Sequence, residues 1–303
     1  MLELDEKKIR KGKPIGLPYQ GSKKKISKKI VEIIKQNFGA DKPVYDIFGG
    51  GGSITAECLL NGLEVHYNDL DRTITDMFQK VVSEDRDYLK TLIVSRDEFF
   101  RIRVKEDKTV DDNLKLLVNS FGNNKRSYLY SEELSDSKYN LAVEIIEKYD
   151  AFDGYRKTEA YLEAKDIFKD QTYQKTQQDS LDRLQQLQRL QQLERLQQLS
   201  HIEATNLDYT EFSEVENAIL YLDPPYQNTE FDGYSMKEIN NQSFYDWAYE
   251  MNKKNIVLVS SYEISDSRFE CVYEFKSARS TFSPKTCRGI KSEKLFMVKK
   301  GVK

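Results

Sequence analysis

Histidine and cysteine are scarce in this 303-residue chain: His66 and His201 are the only histidines, and Cys58, Cys271 and Cys287 the only cysteines. The thiols are far apart, odd in number and form no CxxC, so neither a disulfide framework nor a zinc site is expected. So few imidazoles also speak against a Ser-His-Asp hydrolase. Long apolar runs are missing too. No stretch of eighteen or more apolar residues could span a bilayer, and the opening MLELDEKKIRKGK has no apolar secretory core, so the expectation is a cytoplasmic protein with no membrane partner and no bound metal.

Net charge is also small, at −3, which by itself argues against a nucleic-acid binder. Its distribution argues the other way. From Lys7 to Lys35 eleven basic residues, among them Lys23, Lys24 and Lys25, accompany a single acid, Glu32; from Lys276 onward Arg279, Arg288 and their lysine neighbours accompany Glu293 alone. Two such ends folded together form one basic face on an otherwise acidic protein, suited to phosphates. Apart, each is an ordinary solvated lysine face.

The pattern of strands and helices is α/β. PVYDIF, ending at Phe48, runs into GGGGS and a helical ITAECLLNG stopped by Gly62, and LEVHYND then ends in Asp69. Strand, glycine turn, helix and acid-ended strand make half of a nucleotide-binding unit. Polar, mostly helical sequence follows to about residue 200, after which strand patterns return in HIEAT, AILYLD, NIVLVSS, CVYEF and KLFMVKK. The expected organisation is a discontinuous core, 1–75 and 201–303, interrupted by a helical insertion at 76–200. Within the insertion, 181–199 places leucine at every third position, so successive leucines drift about 60° around a helix and trace no heptad seam. This segment reads as a helical repeat of variable length, with a partner-binding or oligomerising helix as the alternative.

Two stretches carry chemistry. In LDPPYQNTEF the paired prolines force a stiff extended turn directly after a strand, fixing Asp223 and Tyr226 where ligands bind in open α/β sheets; otherwise the turn merely stops the strand. DIFGGGGSI fails the dinucleotide fingerprint, since counting from Gly49 the third glycine falls at Ile54. It remains a turn whose bare backbone admits a ligand. Asp69, about eighteen residues past Gly51, suits either two ribose hydroxyls or the N-cap of the helix that follows.

FGGGGS paired with DPPY resembles the signature of S-adenosylmethionine-dependent amino methyltransferases, and the detailed pattern is similar to the Dam-type adenine-N6 DNA methyltransferases, phage members included. LPYQGSKKKISKKI is similar to that family's opening motif, VHYNDLD to its ribose-binding segment and NLDYTEF to its third motif. The resemblance implies a Rossmann-like α/β core that binds S-adenosylmethionine through Tyr19, Lys23, Asp46, Phe48, Gly49, Gly51, Asp69, Asp208 and Asp223. It implies catalysis by Asp223, Pro224 and Tyr226 on an adenine flipped from double-stranded DNA, with Arg279 and Arg288 near the DNA. An RNA methyltransferase and a catalytically silent binding protein are the rival readings. SFGNNKRSYLYSEE, 120–133, resembles a loop of the phage-type members, and its amides, cations and aromatics suit groove reading and the filling of a flipped base's gap. Asn123, Asn124, Lys125 and Arg126 are its candidate contacts. Excising leucine triplets from 184–196 is expected to alter stability or association more than specificity.

Overall fold

The computed structural model describes residues 1–19, 22–150, 152, 154–169, 184–199, 202–225, 241–275, 292–299 and 301. Tyr226, Arg279 and Arg288 lie outside the described residues, as do Leu181 and most of the basic C-terminal run. The chain divides into two compact units, one formed by 1–14, 23–75 and 202–303, the other by 15–22 and 76–201.

The first unit is built on a mixed seven-stranded sheet among the described residues. Its strands are β1 (Val44–Asp46), β2 (Val65–Asn68), β3 (Ala204–Thr205), β4 (Ile219–Leu222), β5 (Ile256–Ser261), β6 (Phe269–Glu274) and β7 (Lys294–Val298), in the order β3-β2-β1-β4-β5-β7-β6. All pairings are parallel except those of β7 with β5 and β6. Each strand coincides with one of the sequence's strand patterns, β6 starting two residues before CVYEF. AILYL is buried along its whole length in β4, as expected of a central parallel strand covered on both faces.

Period-two alternation divides the core. Ile219 and Tyr221 face one side with Val44, Leu258 and Leu295, where α1 (Ser27–Phe38) contributes Ile30, Ile33 and Ile34, and α2 (Ser53–Leu60) contributes Ile54 and Cys58. Leu220 and Leu222 face the other with Val257 and Val259, covered by Phe244, Ala248 and Met251 of the helix Asn241–Met251. This is a Rossmann-like α/β sheet with helices on both faces. The N-terminal segment closes one edge: Leu2 N donates to Val272 O of β6 at 2.8 Å, and Glu3 N to Asn37 Oδ1 at 2.9 Å.

The second unit is helical. After α3 (Arg72–Ser83), which spans the division between the units, come α4 (Arg86–Lys90), α5 (Arg96–Arg103), α6 (Val110–Asn119), α7 (Glu132–Lys148), α8 (Glu159–Lys169) and α9 (Gln185–Gln197). The helix Asn241–Met251 is accordingly α10. The leucine repeat is not a surface helix. Leu184, Leu187, Leu190, Leu193, Leu196 and Leu199 are all buried, as are Gln186 and Arg189 between them, and α9 contacts α4 and α6. Leucines that circle a helix require neighbours on almost every side, and here they have them. The leucines that an oligomerising helix would offer are thus packed within the chain.

Gln186 and Arg189 hold the base of the 120–130 segment. Gln186 Nε2 donates to Asn119 Oδ1 and lies 3.2 Å from both Val94 O and the Tyr128 hydroxyl. Arg189 Nη1 donates to Leu117 O and Val118 O at 2.9 and 2.8 Å, filling the open carbonyl end of α6. Burial pulls the Arg189 guanidinium down to about 10, still charged at neutral pH.

Candidate active site

The strand order reverses between β1 and β4, and in open α/β sheets the crevice at such a switch point receives the ligand. Three carboxyl groups meet at that edge. Asp46 closes β1 in register with Tyr67 of β2 and Tyr221 of β4; Asp69 and Asp223 stand two residues beyond those tyrosines. The period of two therefore returns all three acids to one face of the sheet.

Asp46 is buried. Its Oδ2 accepts from Thr55 N at 3.1 Å and from Thr55 Oγ1 at 2.6 Å, while Oδ1 accepts nothing among the described residues. Burial pushes this carboxyl up to about 7 against the bonds from Thr55, and the charges of Asp223 and Asp69 add to the rise. Asp69 Oδ2 accepts from Gly50 N at 2.7 Å and Oδ1 from Asp71 N at 2.8 Å; burial moves it up to about 6. The helix cap weighed for Asp69 falls instead to Asp71, whose Oδ1 takes Thr73 N at 2.9 Å at the start of α3. Asp69 thus ties the second strand to the glycine turn.

That turn needs its glycines for two reasons. A Cβ on Gly49 would sit 2.4 Å from the Tyr67 ring, and Gly50 and Gly52 adopt φ of 50° and 69°, in the left-handed region. The Tyr67 hydroxyl donates to Gly50 O at 2.8 Å and fixes the turn from below. Phe48 leaves β1 into an aromatic group with Tyr209 and Phe244. Asp208 caps the short helix Tyr209–Phe212, accepting from Thr210 N and Oγ1 at 3.0 and 2.7 Å.

Lys23 reaches the same edge. Its Nζ lies 3.0 Å from Asp223 Oδ1 and 3.6 Å from Glu293 Oε2. Burial works against the ammonium, but Asp223 and Glu293 outweigh it and hold its pKa above the ordinary lysine value. Sequence reasoning missed Glu293. It was visible only as the one acid in a basic tail, and its position depends on β7 running antiparallel, which brings the start of that strand beside Ser261 at the end of β5.

The candidates are thus unevenly gathered. Lys23, Asp46, Phe48, Gly49, Gly51, Asp69, Asp208, Asp223 and Pro224 belong to the first unit, whereas Tyr19 and Asn123–Arg126 belong to the second. Tyr128, Leu129 and Tyr130 are buried against Val94, Phe99, Ile102 and Leu116, so they anchor the segment and are unavailable to a groove; Phe121 is 40% exposed. Asn124 Oδ1 accepts from Arg126 N and Ser127 N at 2.8 and 3.1 Å, shaping the turn, and Asn123 and Lys125 both take a φ of 58°. Arg10 and some lysines of the N-terminal run are paired with acids outside it or beside it. Arg10 makes two 2.8 Å bonds to Glu57, and Lys29 pairs with Glu6 at 2.6 Å.

The donor set suits a positively charged nucleoside: acceptor oxygens on Asp46, Asp69 and Asp223, one of them buried and without a partner among the described residues, beside a bare glycine turn. A Rossmann-like sheet with acceptor oxygens and a glycine turn at its switch point is the architecture of many α/β enzymes. More narrowly, the chain belongs to the D12 class N6 adenine-specific DNA methyltransferases, whose family model matches residues 19–278. It is an enzyme of DNA adenine methylation. No curated protein sequence matches the chain. No helix among the described residues is long and apolar enough to cross a membrane.

The state of Asp46 has a consequence for stability. Its carboxyl titrates near 7 in the fold, against about 4 when unfolded, so the folded protein holds that proton more tightly. The resulting stability is complete below about pH 4 and is lost as pH rises through 7. Asp46→Asn keeps an oxygen for Thr55 and carries no charge. Its thermal midpoint is expected to exceed the parent's at pH 8, with the difference narrowing at pH 5 and closing below about pH 4.

Proposed function

We propose that the enzyme takes its methyl group from S-adenosylmethionine and delivers it to N6 of an adenine turned out of double-stranded DNA. The observation that carries this reading is the meeting of Asp46, Asp69 and Asp223 at the switch point, with Lys23 bonded to Asp223. Bound S-adenosylmethionine supplies an electrophilic sulfonium methyl. Asp69 would accept from its ribose hydroxyls through lone pairs not used by Gly50 and Asp71, and Asp46 offers a further acceptor.

Adenine's exocyclic nitrogen is a poor nucleophile because its lone pair is delocalised into the ring. The Asp223 carboxylate and the Pro224 carbonyl, held by the proline pair, each accept one amino hydrogen and favour a tetrahedral nitrogen whose lone pair is free to attack. The methylated nitrogen is acidic and passes its proton to Asp223 or water. Tyr226 would stack on a base that cannot be reached inside the duplex. Sequencing DNA modified by the purified protein with methylation-sensitive reads tests the whole reading. Absence of N6-methyladenine, with S-adenosylmethionine present, would overturn it.

The second unit is the proposed target-recognition region, with Asn123–Arg126 contacting DNA and Arg279 and Arg288 adding phosphate contacts. Lys125→Ala is expected to relax or abolish sequence preference while cofactor affinity stays unchanged. Asn124→Ala should do the same through the turn, since its side chain organises Arg126 and Ser127. Methylation profiling of both variants decides this, and an unaltered recognition profile in both would remove the segment from recognition.

A further inference from the structure

We propose that Glu293 is a positioning residue for methyl transfer, acting on Asp223 through Lys23; the inference rests on the reading of Asp223 as the acceptor for the adenine amino group. Glu293 precedes β7, and its two oxygens have separate tasks. Oε1 accepts from Ser260 Oγ at 2.8 Å, which orients the carboxylate from β5, and Oε2 faces Lys23 Nζ at 3.6 Å. Lys23 therefore stands between two carboxylates, and its bond to Asp223 uses Oδ1 at 3.0 Å.

The arrangement matters because an ammonium has three donors and no acceptor. A lysine facing Asp223 alone would direct its donors at the carboxylate that must receive the substrate's amino hydrogen. Glu293, at 3.6 Å, draws the ammonium toward a second carboxylate and shares its charge with Asp223. It also sets the sum: two carboxylates and one ammonium leave the cluster at −1, whereas Asp223 and Lys23 alone would be neutral. The amino nitrogen becomes positive as it gains a fourth bond and remains so until its proton leaves for Asp223 or water. A residual negative charge in a largely buried cluster favours that state, and side-chain exposures of 10% for Lys23, 15% for Asp223 and 14% for Glu293 keep water from screening it strongly.

The test is a double-mutant cycle read by single-turnover methyl transfer to duplex DNA, with cofactor affinity measured by calorimetry. Glu293→Gln is expected to slow the single turnover about tenfold, with cofactor affinity within about twofold of the parent's. In a Lys23→Met background the same change should cause a clearly smaller loss, because Glu293 then acts through its charge alone. A parental rate in Glu293→Gln, equal losses in the two backgrounds, or a loss carried by cofactor affinity would each overturn the proposal. If Glu293→Gln does not fold, Ser260→Ala removes the hydrogen bond that orients Glu293 and should slow turnover about threefold in the parent and not at all beside Lys23→Met. Asp223→Ala separates the two levels of argument: parental turnover there sinks the reading of Asp223 itself, whatever Glu293→Gln does.

Discussion

Asp223→Ala is expected to slow methyl transfer about a hundredfold to a thousandfold, the scale seen when a preorganised hydrogen-bonding group is removed from a reacting centre, while S-adenosylmethionine binding remains measurable. The turn that carries Asp223 has no freedom to compensate. Pro224 and Pro225 fix its backbone, and β4 behind it is buried throughout. Removing the carboxylate also leaves Lys23 with Glu293 as its remaining carboxylate at this edge, so a cation would replace an acceptor beside the substrate nitrogen. Asp223→Asn keeps an acceptor oxygen but no charge, and should fall between the two. Single-turnover rates, with calorimetry for the cofactor, read both effects. Near-parental turnover in the alanine variant would end the proposed role.

The second large effect is expected in binding. Asp69→Ala should weaken S-adenosylmethionine by about 1.5–3 kcal/mol, roughly tenfold to 150-fold, through loss of charge-assisted hydrogen bonds. Gly50 N would lose its acceptor as well, loosening the glycine turn. Acidity should act on the parent in the same direction. Because Asp69 titrates near 6, affinity should fall as pH drops through that value, and the alanine variant should lack that component. Unchanged calorimetric affinity at pH 8 would remove Asp69 from the cofactor site.

The sheet was legible because its strands are short, largely apolar runs bounded by turn residues; six of the seven runs contain their strands, and β6 begins two residues ahead of CVYEF, at Phe269. Asp69 and Asp223 were legible for the same reason, since each closes its run, whereas Asp46 lies inside PVYDIF and was given only by the family resemblance. Groups that depend on pairing across the sequence were not. Glu293 belongs to the site only because β7 reverses direction, and a run of charges carries no mark of that reversal. The basic N-terminal stretch looked nearly free of acids because Glu57 and Asp223, which meet Arg10 and Lys23, lie elsewhere in the chain. Tyr128 and Tyr130 looked like groove-reading aromatics, and their burial against Phe99 and Leu116 follows from packing that local composition does not encode.

The buried seat of α9 has a further consequence when the repeat is written in sixes. LQQLQR, 184–189, is followed by LQQLER, 190–195, so a shift of six residues puts Gln192 where Gln186 stands, Arg195 where Arg189 stands, and a leucine in every leucine slot along those two blocks. The shift moves the chain about 9 Å along the helix axis yet presents the same amide to Asn119 and the same guanidinium to the end of α6. A shift of three retains the leucines but exchanges amide for guanidinium. The segment is thus degenerate in steps of two triplets, and a lineage that gains or loses six residues here keeps the loop's foundation, whereas one that changes by three must rebuild it.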